Sequence, residues 1–156
     1  MSTTQQQTHS QHHKRFKALL ALVIAGVFVF FAAQPVVASD PATTIATQVN
    51  VDRAEQGLPA LVRNAALDEV AADWAAHMAE TGVMEHNPNL ADQVPAGWTI
   101  AGENVAQGQA DGETMEAAWM DSEHHRDNIL GDFTDIGIAF VTADGTTWGV
   151  QVFAKY

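Results

Sequence analysis

Apolar residues change their rhythm several times along this chain, and each change predicts a different element. From Ala18 to Ala33 no polar side chain interrupts a run of 16 residues. Lys14-Arg15-Phe16-Lys17 precede it, Gln34-Pro35 break it, and Val36-Val37-Ala38 follow. A positive start, an apolar middle and small residues at the end predict a secretory signal peptide over residues 1–38, cut after Ala38 to begin the mature chain at Ser39. The competing outcome is an uncleaved signal anchor, for which the run is at the short side of the roughly 17–25 residues a spanning helix needs. Either way the body is extracellular, and it meets a membrane only if that segment is retained.

Residues 39–47 show no period and predict a short linker. A helix is predicted from near Thr47 through Val49, Val51, Ala54 and Leu58, stopped or kinked at Gly57-Leu58-Pro59. The clearest helix comes next. Leu67, Val70, Ala71, Trp74, Ala75 and Met78 recur at helical spacing, Asn64 is a cap, Asp68 and Glu69 favour the positive end, and Gly82 stops it. His77 falls at the margin of that stripe and reads as a border residue of the packing face. Between Val83 and Ile100 no period survives, and Pro88, Pro95 and Gly97 predict a long loop tied down by Leu90 and Trp98. A helix over 113–121 turns Met115, Ala118 and Trp119 inward, and 124–130 form a second short helical piece. The rhythm then becomes alternation: 135–141 and 147–153 read as strands around the Asp144-Gly145 turn. Helices first and strands last predict an α+β domain.

Charge narrows the partners. The sequence of 156 residues has a formal net charge of −12, but three of its seven basic residues lie before residue 38. The remaining four stand against nineteen acids, a net of −15 for the body. Such a body repels nucleic acid and anionic membrane surfaces, and fits an exported monomer. The absence of cysteine excludes a disulfide framework, a thiolate zinc site and a cysteine nucleophile.

The densest chemistry is the run from Trp119 to Leu130, which sets Ser122, Glu123, His124, His125, Arg126, Asp127 and Asn128 between apolar anchors. Glu85-His86-Asn87-Pro88 and Gly102-Glu103-Asn104-Val105 are the two stretches suited to meet it. Neither H-E-x-x-H nor G-x-S-x-G is present. By spacing alone, His86 reads equally as a loop residue bonding backbone, His125 as a surface histidine, and Glu103 as an acceptor for backbone N–H groups.

The chain from about Asn50 onward resembles the CAP superfamily, which takes in cysteine-rich secretory proteins, insect antigen 5 and plant pathogenesis-related proteins. Its nearest likeness is to the cysteine-free bacterial branch. The resemblance rests on Arg53…Gly57-Leu58-Pro59-Ala60-Leu61, Leu67…Ala71…Trp74-Ala75…Met78-Ala79, His86-Asn87, Gly102-Glu103-Asn104-Val105-Ala106, Trp119-Met120-x-Ser122-x-x-His125-Arg126-x-Asn128-Ile129-Leu130, Ile136-Gly137 and Trp148…Gln151-Val152-Phe153. It implies a CAP/SCP domain over 48–156: an α-β-α three-layer sandwich with a central antiparallel sheet, and a cleft formed by His86, Glu103, Ser122 and His125. Eukaryotic relatives place a second Glu where this chain has Ser122, and Glu123 lies about 100° further round a helix. His124 is offset from His125 in the same way, so one of the two faces the cleft.

In that cleft His86 and His125 are candidate ligands for zinc or another divalent transition metal, with Glu103 as third ligand or as partner to a ring N–H. Three readings follow. The first is a secreted or envelope binding module for a small molecule, lipid or envelope component. The second is a metal-assisted hydrolase, with Glu103 as general base or Ser122 as nucleophile. The third is a structural surface protein with an idle cleft.

Overall fold

A computed structural model describes residues 39–156, and the predicted export segment lies outside them. The first helix, α1 (Pro41–Glu55), begins well before the predicted start, so residues 41–47 are helix and not linker. Asp40 accepts a hydrogen bond from Thr43 N–H (3.2 Å), and Pro41 at the first helical position sacrifices no helical bond. The buried stripe of α1 is Ala42, Ile45 and Val49, and its next member is Arg53. A stripe that ends on an arginine carries little apolar periodicity, which is why the pattern placed the helix late.

Four strands form one sheet in the order β1 (Val62–Arg63), β3 (Asp135–Ala143), β4 (Thr146–Lys155), β2 (Ile100–Gln107). The β3–β4 hairpin turns at Asp144 and Gly145, both with positive φ, as a two-residue turn requires. Pairs β3–β4 and β4–β2 are antiparallel, while β1 runs parallel to β3. The sheet is therefore mixed at one edge and not wholly antiparallel. Val62 N–H and Asn64 N–H donate to Thr134 O and Ile136 O (both 2.9 Å), which holds this short strand beside β3 on the way into the next helix.

That helix, α2 (Ala65–Thr81), covers one face of the sheet. It is capped by Asn64 and ended by Gly82 in the left-handed conformation. Leu67, Trp74 and Met78 pack there against Trp148, Val150 and Val152. The loop after it contains one helical turn, α3 (Leu90–Gln93), and Leu90 and Trp98 pack onto the same core. On the other face lie α1, α4 (Gly112–Asp121) and α5 (Glu123–Ile129), where Ile45, Val49, Met115 and Trp119 meet Ile136, Ile138 and Phe153. Two glycines let the layers close. A Cβ on Gly137 would strike the backbone of Leu67, and one on Gly149 would strike Met115. No helix among the described residues is long and apolar enough to cross a membrane.

Candidate functional site

Strand β2 lies at the sheet edge, and its residues Gly102-Glu103-Asn104 are poor strand formers. Tertiary contacts hold them in place. Neighbouring residues of a strand point to opposite faces, so Glu103, opposite Val152, and Asn104, opposite Gln151, serve the two layers separately. Glu103 fixes the loop after α2, and Asn104 fixes α5.

Glu103 holds the loop that follows α2. Its Oε1 accepts from Nδ1–H of His86 (2.7 Å) and from the backbone N–H of Asn87 (2.9 Å). The His86 side chain is 64% exposed and that of Glu103 only 4%, so a buried carboxylate presents a solvent-facing ring. A carboxylate only accepts, so the neutral His86 ring carries its hydrogen on Nδ1 and keeps the Nε2 lone pair free. Asn87 folds the loop further: Nδ2 donates to Gln93 Oε1 (2.7 Å), and Oδ1 accepts from Asn89 N–H (2.9 Å). Just before His86, Glu85 O accepts from Trp74 Nε1 (2.8 Å), which ties the loop to α2. Glu103 Oε2 is buried with no partner among the described residues.

Asn104 holds α5. Its Nδ2 donates to His125 O (3.0 Å), and its Oδ1 accepts from Asn128 Nδ2 (2.8 Å). Trp119 Nε1 donates to Val105 O (3.1 Å), which fastens α4 to the same strand edge. His125 is half-buried while His124 is exposed. Burial first, then the neighbouring His86 and His124, hold the His125 imidazole below its ordinary pKa, so it is readily neutral at pH 7. It lines a groove of about 210 Å³ together with Ser122 and a largely apolar wall of Met84, Val105, Ala106, Ala118 and Trp119.

Ser122 stands between α4 and α5, half-buried, and among the described residues no hydrogen bond links its hydroxyl to His125. Nor do the described residues contain a group of three or more His, Asp or Glu placed to hold a metal ion. The three-ligand set of His86, His125 and Glu103 is therefore not assembled. Glu103 is turned to the His86 ring N–H and the Asn87 backbone, the geometry of an outer partner that orients a ligand. What the described residues do assemble is one imidazole, His86, oriented by a buried carboxylate, with His125 near enough to feel its charge.

Sequence reasoning missed Glu116 and the inward role of Gln151. Both have no exposed surface, and Gln151 Nε2 donates to Glu116 Oε2 (2.6 Å). The available signal was spacing: Glu116 is three residues from Trp119 and so shares the inward face of α4.

The model of the cysteine-rich secretory protein family, CAP, matches residues 46–153. The chain belongs to this family. As a CAP domain it is 32% identical over 114 residues to the protein YkwD of Bacillus subtilis (strain 168), an alignment covering 68% of this chain and 44% of that protein. Among solved structures it is similar to an extracellular protein containing an SCP domain from Bacillus anthracis, with 27% identity and a TM-score of 0.67, over 74% of this chain and 40% of that one. An outer surface protein of Borrelia burgdorferi shares the fold at 20% identity and a TM-score of 0.67, over 72% of this chain and 90% of that one. The CAP domain thus spans under half the length of the two Bacillus proteins.

Proposed function

We propose that this CAP domain is an exported binding module whose cleft takes a small, partly apolar ligand beside a weakly held divalent transition ion. His86 and His125 would hold the ion, and Glu103 orients His86. A bound zinc would supply a Lewis-acidic centre with open positions for a ligand oxygen. The observation that carries this reading is the placement of His125: it is half-buried in a groove whose wall is the apolar set Met84, Val105, Ala118 and Trp119, while His86 and Glu103 lie outside that lining. A hydrolase built on Ser122 gains no support, since among the described residues no bond to His125 activates the hydroxyl.

Export is part of the proposal. The basic-apolar-small pattern of residues 14–38 supports it, as does the extracellular description of the Bacillus anthracis relative. The strongly acidic body favours a monomer. The test is elemental analysis of the natively purified protein together with identification of co-purified lipids and small molecules. A sub-stoichiometric transition metal and an apolar or amphipathic ligand are the expected findings. Neither metal nor ligand, combined with no zinc uptake in calorimetry, would leave a surface protein with an idle cleft. Mass spectrometry of the secreted form is expected to place its N-terminus at Ser39, and retention of residues 18–33 would establish an anchor instead.

A further inference from the structure

Behind the cleft, polar side chains form a chain that crosses the apolar layer between the sheet and α4. Asn104, Gln151 and Glu116 have no exposed surface at all. Asn128 Nδ2 donates to Asn104 Oδ1 (2.8 Å), Asn104 Nδ2 to Gln151 Oε1 (2.9 Å), and Gln151 Nε2 to Glu116 Oε2 (2.6 Å). The same nitrogens of Asn128 and Asn104 also donate to Glu103 O (3.1 Å) and His125 O (3.0 Å). All three amides therefore point one way. Their hydrogens run from α5 toward α4, and the chain ends on an acceptor.

We propose that Glu116 is a positioning residue for the cleft: it is the terminal acceptor that orients the Gln151 and Asn104 amides and, through them, the backbone of α5 at His125. The directionality gives the reason. With no acceptor at residue 116, nothing holds the Gln151 amide in this orientation. Turned over, Gln151 sets a donor against Asn104 Nδ2. Asn104 must then turn too, which sets its oxygen against His125 O and its nitrogen against Asn128 Nδ2. Either arrangement strands buried polar groups, and the adjustment available is a shift of α5, the element that carries His125.

Glu116 also gives this chain a dependence on pH. Burial first, and Asp52 of α1 second, raise its pKa to about 8, against the lowering effect of the Gln151 bond. Of the groups facing it, Asp52 is the charged one from α1, and β4 offers only the neutral Gln151. Arg53, next to Asp52, is committed to the carbonyls of Pro59, Ile129 and Gly131. The uncharged form of Glu116 is therefore favoured at pH 7. Oε2 accepts from Gln151, and Oε1 is buried with no partner among the described residues. Ionisation places a second negative charge beside Asp52 and strengthens the pull on the Gln151 amide. This coupling needs no bound ligand. Its meaning for binding rests on the reading of the cleft given above.

The test is heteronuclear NMR of the secreted protein, of Glu116→Gln and of Glu116→Leu, across a pH range bracketing 8. In the wild type, the side-chain amides of Gln151 and Asn104 and the backbone amide of His125 are expected to move together with a midpoint near 8. Glu116→Gln keeps an acceptor oxygen, so it should lose that step yet show wild-type signals for Asn104, Asn128 and His125 at pH 7. Glu116→Leu should displace those signals while the Trp74 indole signal in the opposite layer stays in place. Persistence of the step in Glu116→Gln overturns the proposal, as do shifted cleft signals in that variant at pH 7 or unmoved Asn104 and His125 signals in Glu116→Leu. Should Glu116→Leu fail to fold, the two outcomes of Glu116→Gln decide it alone. These readouts are independent of metal or ligand uptake, so an idle cleft would not be mistaken for an absent relay.

Discussion

One oxygen of Glu103 accepts from both the Nδ1–H of His86 (2.7 Å) and the N–H of Asn87 (2.9 Å), fixing a side chain and the peptide beside it at once. Glu103→Ala removes both partners. It is expected to cost about 1–3 kcal/mol in chemical denaturation, because the buried Asn87 N–H is left without an acceptor. It should also weaken zinc binding by roughly 10–100-fold through a misaligned His86. Glu103→Gln keeps one acceptor oxygen and should fall between. Wild-type stability and zinc affinity in the alanine variant would show that Glu103 orients nothing.

His125 and His124 are adjacent but occupy different environments, half-buried and exposed. Calorimetric titration with zinc should show a strong loss for His125→Ala and little change for His124→Ala. Equal losses would identify a surface pair instead. The depressed pKa of His125 has a sign for stability as well. Its folded value lies below the ordinary 6.5, so its contribution is present above that pH and is lost as pH falls through the folded value. Zinc binding should weaken over the same acid range, since protonated imidazole cannot ligate.

Glu116 acts in the opposite direction. Its folded pKa of about 8 lies above the ordinary 4.5, so the folded state holds a proton that the unfolded state has released. Its stabilising contribution is complete below 4.5 and is lost as pH rises to about 8. Urea denaturation across that window should show wild-type stability falling relative to Glu116→Gln. Parallel curves for the two proteins would mean that Glu116 does not hold the proton in the folded state.

Arg53 is 1% exposed, and its guanidinium donates to Pro59 O (2.9 Å), Ile129 O (2.8 Å) and Gly131 O (2.8 Å). It binds α1 to the turn after it and to the end of α5, whose last carbonyls have no helical partner. Arg53→Met should cost roughly 2–5 kcal/mol, with the carbonyls left buried and unpaired. It should also loosen α5 enough to lower zinc affinity at His125. A stability loss under about 0.5 kcal/mol would place Arg53 among ordinary surface residues.

The sequence by itself determined the elements whose burial is one-sided or whose turn chemistry is local. Helix α2 was legible because Leu67, Trp74 and Met78 face a single layer and Asn64 and Gly82 mark its ends. The hairpin was legible because Asp144-Gly145 can take positive φ. The family motifs identified His86, Glu103 and His125 as cleft candidates in advance. Tertiary structure decided the rest. Strand β2 is buried on both faces from Glu103 to Ala106, so it has no alternation to read, and its register comes from β4. The start of α1 was carried by Asp40-Pro41 and not by apolar period, because Arg53 interrupts the stripe to serve carbonyls distant in sequence. Whether Glu103 ligates or orients depended on where the His86 ring lies, and no local spacing encodes that. The role of Glu116 was least legible of all: a carboxyl on a helix reads as solvent-facing until Gln151 and Asn104, from two different strands, are brought beside it.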